Sequence, residues 1–382
     1  MTMPPSRRTP ASSQSHQSHQ SSQSSSSSVP STSSSSSKSK SKGNVKQVSR
    51  TDTQPAPSPQ VLRQLEAILT TFHDTFAPLF TPALPAIIQD VKQALYQRDY
   101  VAAFDSPQKL QAYAVRWSVA RALAYFDMIV GHWWSKDVSQ RFSQDDDGPL
   151  NITCIGGGAG AELVGIAAAF SFLATSKPGD DRPDAPRLAL TLLDFAAWNP
   201  IVDSLYATLT DAETTRQSQL CLSKSSFSVV CHQQDIILSP LSDVTVSSLA
   251  SADVVTILFT AGELYSQSPT ATTKLFVSLH AVTKPGALLV VVDSAGGFED
   301  LDVLKKGSES SSSDKSNSIG GYKLGFLLDK TLTSRDRWET IASDDSRWWR
   351  MPPQLKENAA YPLDLENMRC LIRVYRRNDD PD

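Results

Sequence analysis

Residues 152–163 read ITCIGGGAGAEL, and the rest of the chain falls into place around them. Ile152 to Ile155 is a short apolar, β-branched run, whereas Ala161 to Phe170 is rich in Ala and Leu and carries a helical period. Gly156, Gly158 and Gly160 separate the two. A strand that turns through glycines into a helix brings bare backbone N–H groups and the positive end of the helix dipole against whatever docks there. That is the wiring of a nucleotide-type pocket, and by itself it names no cofactor.

Downstream, β-like and helical runs alternate, the order that builds a parallel sheet with helices on both faces. Strands are expected near Ile152–Ile155, Leu188–Leu193, Phe227–Cys231, Val254–Phe259 and Ala287–Val292, the last introduced by the helix-ending Pro285-Gly286 of KPGALLVVVD. Two further β-like runs, RWETIAS (337–343) and MRCLIRVYRR (368–377), flank a loop containing Trp348, Trp349 and Arg350. A short non-helical connection makes them an antiparallel pair. Upstream, residues 61 to about 132 are helical and broken by prolines, with apolar stripes at Leu62, Leu65, Ile68 and Leu69 and at Ile87, Ile88, Val91 and Leu95. Ser106-Pro107 has the form of an N-cap followed by Pro at the first helical position, opening one long helix through KLQAYAVRWSVARALAYFDMIV. The expected organisation is therefore a tail at 1–58, a helical region at 59–148 and an α/β domain at 149–380.

The tail contains QSHQSHQ, SKSKSK and long serine runs without a single aromatic side chain. It cannot bury enough apolar surface to offset its chain entropy and is expected to be disordered. It is basic, with Arg7, Arg8, Lys38, Lys40, Lys42, Lys46 and Arg50 against Asp52, so the net charge of −4 leaves the remainder acidic. Such a tail suits attraction to phosphate or a targeting receptor, or stays solvated without a partner. A second low-complexity stretch, 305–321, is expected as a surface loop. The four cysteines are far apart, which suggests neither a disulfide framework nor a zinc site and favours a reducing compartment. The most apolar run, Leu163–Ala174, is too short to span a bilayer, and a soluble intracellular protein is expected.

Two cofactors sit on such a glycine turn, a nicotinamide dinucleotide and S-adenosylmethionine. In both, an acid ending the second strand accepts from the ribose hydroxyls. Asp194 of LTLLDFAAWNP is that acid, displaced beyond the usual gap of about 20 residues by the polar insert SKPGDDRPDAPR; the other reading is a helix N-cap. Asp235, just past the third strand, is either an acceptor for the adenine amine or an ordinary turn residue. The final antiparallel pair favours S-adenosylmethionine, because nicotinamide domains usually continue with a parallel sixth strand.

ITCIGGGAGAEL, LLDFAAW, DVVTILFTAGELY, KPGALLVVVDSAG and SRWWRMP together resemble the fungal family of S-adenosylmethionine-dependent methyltransferases that includes the 25S (large-subunit) rRNA uridine-N3 methyltransferase. The likeness runs from about residue 60 to 378 and takes in the YAVRWSVARALAY helix. It implies a class I, Rossmann-like fold: a seven-stranded, mostly parallel sheet ending in an antiparallel hairpin, with an N-terminal helical cap. It further implies that Gly156, Gly158 and Gly160 approach the methionine part of S-adenosylmethionine, that Asp194 holds the ribose and that Phe195 or Trp198 flanks the adenine. The implied substrate is large-subunit ribosomal RNA or its precursor, and the implied location the nucleus or nucleolus, with the cytoplasm as a further site. A protein or small-molecule methyltransferase and a nicotinamide oxidoreductase are the competing readings.

In this fold the loop after the fourth strand borders the transferred methyl. Here it reads Thr260-Ala261-Gly262-Glu263-Leu264-Tyr265. Uracil N3 carries a proton at neutral pH, so an acceptor is needed. Glu263 is the candidate, with Thr260 and Tyr265 as partners of the uracil carbonyls; otherwise Glu263 simply favours the first turn of the next helix. Trp348, Trp349 and Arg350 either stack an extruded base or its neighbour or plug the core. Arg116, Trp117 and Arg121 on the long helix are further candidates for the pocket wall.

Overall fold

The computed structural model describes residues 56–142, 148–175, 187–211, 220, 222–237, 241–295, 323–358 and 361–379. Most of the tail and the stretch 305–321 lie outside the described residues. At the boundary, Ser58 already belongs to the fold: its hydroxyl accepts from Val61 N and caps the helix Pro59–Phe76.

Seven strands form one sheet: β1 Leu150–Ile155, β2 Leu188–Asp194, β3 Phe227–Gln233, β4 Val254–Leu258, β5 Leu288–Ser294, β6 Trp338–Trp349 and β7 Met368–Arg377. Their order is β3-β2-β1-β4-β5-β7-β6. The first five are parallel, and β7 runs antiparallel to both β5 and β6. This is the Rossmann-like sheet with a terminal hairpin that the sequence implied. β4 and most of β5 are buried along their length, as strands covered on both faces must be.

One core joins β1, β2 and β5 to the N-terminal helices and to the helix Ala161–Thr175. The second lies on the opposite face, beneath the helices Asp243–Ser251, Ala261–Gln267, Pro269–Val282 and Leu324–Leu332. Residues 161–171 of the helix Ala161–Thr175 are all buried, because it is sandwiched between the sheet and the helix Val119–Val130. Gly165 permits that approach: a Cβ there would sit 2.7 Å from Ala122 O and 3.1 Å from Tyr125 Cβ. The N-terminal helices thus share the sheet's core, and the boundary expected near residue 148 is a change of secondary structure within it.

Three expectations need correction. The long helix is Pro107–Tyr113 followed by a π-helical segment, Ala114–Ser118, and then Val119–Val130; Ser106 precedes it without a capping side-chain bond. Such wide turns break the regular hydrogen-bond ladder and often mark functional sites. β6 extends through SDDSRWW, so Trp348 and Trp349 are strand residues. Register shifts between Thr340 and Ala342 and between Asp344 and Arg347 let that polar stretch remain paired at the sheet's edge. The connection to β7 contains a helical turn, Pro353–Asn358.

Candidate active site

With β1 flanked by β2 on one side and β4 on the other, the chain reverses its direction of winding at β1. A crevice opens there beyond the carboxyl ends of the strands. Phe104, Tyr113, Arg121, Glu162, Asp194 and Glu263 are among the residues lining it, with Gly156, Phe195, Trp198, Phe259 and Thr260. It holds about 580 Å3 of open space counted out to its mouth, open solvent included.

The glycines divide the work. Gly156 faces the crevice at φ +80°, and a Cβ there would lie 2.2 Å from Thr260 Oγ1. Gly158 leaves room for Trp198, whose Cδ1 would be 2.1 Å from an added Cβ, and Gly160 (φ +86°) does the same for Leu205. These two are outside the crevice wall, so of the three only Gly156 stands where the expectation put all of them.

Asp194 ends β2 and is tied to the turn: Oδ2 accepts from Gly158 N (3.1 Å) and Oδ1 from Ala196 N (3.2 Å). Burial pushes its carboxyl up to about 6, against those same bonds. Asp194 is not the N-cap of the helix Asn199–Thr210; Trp198 occupies that position. Asp235 is elsewhere. Its Oδ1 accepts from Ile237 N (3.1 Å) in a local turn, and it does not line the crevice.

β4 ends at Leu258, and Phe259 takes φ +55°. A bulky side chain in the left-handed region is strained backbone, which is retained where its surroundings hold it. Here Phe259 N donates to Val292 O (2.6 Å), and the Arg121 guanidinium lies 4.8 Å from its ring centroid. The reversal turns Thr260 and Glu263 into the crevice. Glu263 is half-buried and its carboxyl is pushed up to about 8 by burial, with Arg121 opposing and Asp293 and Asp194 reinforcing. Asp293, at the end of β5, braces the loop from below, accepting from Gly262 N and Ser294 N at 2.7 Å each.

Tyr265 requires correction. Two helical residues from Glu263 means about 200° around the axis, so its side chain enters the second core and stacks on Phe276 at 5.9 Å. It is not part of the crevice. Arg116 and Trp117 do not line it either, since Arg116 contacts Glu366 and lies over Trp117. Arg121 does, and donates to Tyr113 Oη at 2.5 Å. Burial opposes its charge, but Tyr113, Tyr125 and Glu263 keep it protonated. The Trp348-Trp349 pair splits: Trp349 is buried and donates to Asp127 Oδ2 (3.0 Å), a core plug, whereas Trp348 is 40% exposed.

Glu162 escaped the sequence reading. It sits in the first turn of an otherwise apolar helix, is 3% exposed, and its Oε1 has no hydrogen-bond partner among the described residues. Burial raises it to about 8. A lone acid in a helix with no polar face was the available signal. Three carboxylates, Glu162, Asp194 and Glu263, thus line the crevice with Arg121, and Asp293 lies behind the loop, a set suited to a cation. The opening beside Gly156, the unsatisfied Glu162 oxygen and the aromatic Phe195 fit a ligand that combines positive charge with an adenosine.

Sheet order, glycine turn, the acid ending β2 and the acid-rich crevice together have the form of a class I, S-adenosylmethionine-dependent methyltransferase. Comparison with known proteins extends this. Residues 72–376 match the family described as "Putative SAM-dependent methyltransferase". The chain is also 31% identical over 308 residues to the 25S rRNA (uridine(2843)-N(3))-methyltransferase of Saccharomyces cerevisiae, covering 76% of this chain and 77% of that protein. This chain belongs to that family and is an S-adenosylmethionine-dependent methyltransferase.

Solved structures align more distantly. The 16S rRNA (adenine(1408)-N(1))-methyltransferase from Catenulisporales acidiphilia shares 14% identity over 64% of this chain and 94% of its own, at a TM-score of 0.34. The N-methyltransferase NodS from Bradyrhizobium japonicum WM9 shares 14% over 64% and 86%, at 0.30. At those scores nothing about activity passes to this chain.

Proposed function

We propose that this enzyme methylates N3 of a uridine in large-subunit ribosomal RNA. The reading is carried by its likeness to the yeast uridine-N3 methyltransferase, which spans three quarters of both chains. The crevice supports it with a carboxylate on the loop where the methyl is delivered.

S-adenosylmethionine supplies a methyl activated by its sulfonium. Gly156, whose missing Cβ makes room for Thr260, borders the methionine portion, Asp194 accepts from the ribose, and Phe195 flanks the adenine. Transfer needs an electron pair aligned opposite the leaving sulfur, so positioning lowers most of the barrier. What alignment cannot provide is removal of the N3 proton, and Glu263 takes it. With its carboxyl near 8, Glu263 is largely protonated in the empty crevice at neutral pH. A second positive charge beside it would oppose that shift as Arg121 does, readying the base once the cofactor is in place. Thr260 Oγ1, which otherwise bonds Leu258 O at 3.2 Å, is placed to meet a uracil carbonyl. The uridine must leave its stack, because a paired base cannot present N3. We place the reaction in the nucleus or nucleolus, on the precursor, for which the basic tail is suited.

The test is incubation of large-subunit rRNA with the protein and S-adenosylmethionine, followed by mass spectrometry of the nucleosides. N3-methyluridine is expected. A methyl on ribose, cytosine or uracil C5 with none on N3 would overturn the substrate while leaving the methyltransferase intact.

A further inference from the structure

Three tryptophans carry an arginine on their ring face. Arg347 lies 4.1 Å from the ring centroid of Trp133, Arg350 lies 5.5 Å from that of Trp348, and Arg116 lies 5.5 Å from that of Trp117. Topology and hydrogen bonds connect them. β6 is antiparallel to β7, itself antiparallel to β5, so the end of β6 and the start of β7 lie at the same end of the sheet as the crevice. There Trp348 pairs with Arg369, Met351 N donates to Asn367 Oδ1 (2.8 Å), and Glu366 contacts Arg116. β6 is the sheet's edge strand, so its alternating residues flank an open margin. Arg347 leans toward the N-terminal helices with Trp349, while Trp348 and Arg369 lie on the other face.

Resting on the reading that the substrate is RNA, we propose that the Arg347–Trp348–Arg350–Arg369 margin binds the single-stranded RNA flanking the target uridine. Trp348 stacks a neighbouring base, and the arginines hold phosphates. Three strand spacings of about 4.8 Å separate β6 from β4, about 14 Å in all, which is the reach of nucleotides near the target rather than of the target itself. Indole faces beside guanidinium groups are the chemistry of sequence-tolerant strand binding. The competing acids are Asp344, 3.7 Å from Arg347, and Glu366 at Arg116. Arg347 and Asp344 are both more than a third exposed, so their surface pair is weak enough for a phosphate to displace. Among the described residues, Arg369 Nε donates to the exposed Ser346 hydroxyl (2.8 Å).

The test measures binding of a single-stranded oligoribonucleotide by the full chain across a salt series, with S-adenosylmethionine affinity as the check on folding. Trp348→Ala should weaken RNA binding about five- to hundredfold with an unchanged salt slope. Joint replacement of Arg347, Arg350 and Arg369 by Ser should lower the slope by about 2, at about 0.7 for each phosphate no longer neutralised. The same three changed to Lys should restore the slope. Unchanged RNA affinity and slope in the Ala and Ser variants, with RNA still bound and methylated, would overturn this margin alone. Retained RNA binding with loss of binding to a polyglutamate peptide would overturn it in favour of a protein partner. A wild-type chain that neither binds nor methylates RNA would overturn the underlying reading as well.

Discussion

The two ends of the sheet treat charge in opposite ways. At the amino end, Asp253 accepts from Asn151 N (2.9 Å) and pairs with Lys284 at 2.6 Å, and Lys284 also donates to Ser251 O. These groups are partly exposed and matched one to one. At the carboxyl end, Glu162, Asp194, Glu263 and Asp293 all have raised carboxyl groups through burial, and Arg121 is the arginine that Glu162, Glu263 and Asp293 share. Paired charge closes a fold; crowded, desolvated charge leaves electrostatic potential for a ligand. The crevice is therefore built at the expense of the empty protein's stability.

Gly156→Val should have the largest effect, because a Cβ meets Thr260 at 2.2 Å and φ is +80°. Cofactor binding in calorimetry should fall by more than about a hundredfold, with melting lowered by an amount corresponding to about 1–3 kcal/mol of backbone strain. Next, Asp194→Ala removes the ribose acceptor and should weaken cofactor binding by about 1–3 kcal/mol. Full affinity in that variant would equate the two ends of the sheet.

Glu162→Gln probes the contrast through pH. The folded carboxyl, near 8, lies above the unfolded value of about 4.3. Its contribution is therefore fully present below about pH 4 and is lost as pH rises through 8. Thermal melting without cofactor should fall across that window, and the Gln variant should flatten the decline and be more stable at pH 8. At the other end, Lys284→Met should change stability by less than about 1 kcal/mol and leave turnover untouched, as exposed pairs do.

Much of this was legible in the sequence because strands are written as contiguous apolar runs. β1 to β5 fall within one or two residues of expectation, and Gly156, Asp194, Thr260 and Glu263 stand out from the motifs alone. What escaped depends on direction rather than composition. Tyr265 is two residues from Glu263 in sequence and on the opposite side of the helix. Gly158 and Gly160 keep the turn's spacing but face Trp198 and Leu205. Asp235 follows the third strand, as an adenine acceptor should, yet bonds within its own turn. β6 is longer than its apolar run because bulges carry a polar stretch along an edge, where burial does not dictate the pattern. Glu162 is the single charge of an apolar helix, and only the approach of that helix to its neighbour across Gly165 shows where it points, whereas Arg121 was already a candidate for the pocket wall.

The mechanism turns on Glu263 removing the N3 proton inside this crevice. Single-turnover methylation of large-subunit rRNA at saturating S-adenosylmethionine, followed against pH for wild type and Glu263→Gln, isolates that step. The wild-type rate should rise with pH as Glu263 ionises and then level off. At saturating cofactor the variant should lose that rise and run about 100-fold slower or more, the scale of a lost general base. Equal rates and superimposable pH profiles would contradict that role and leave Glu263 a structural residue.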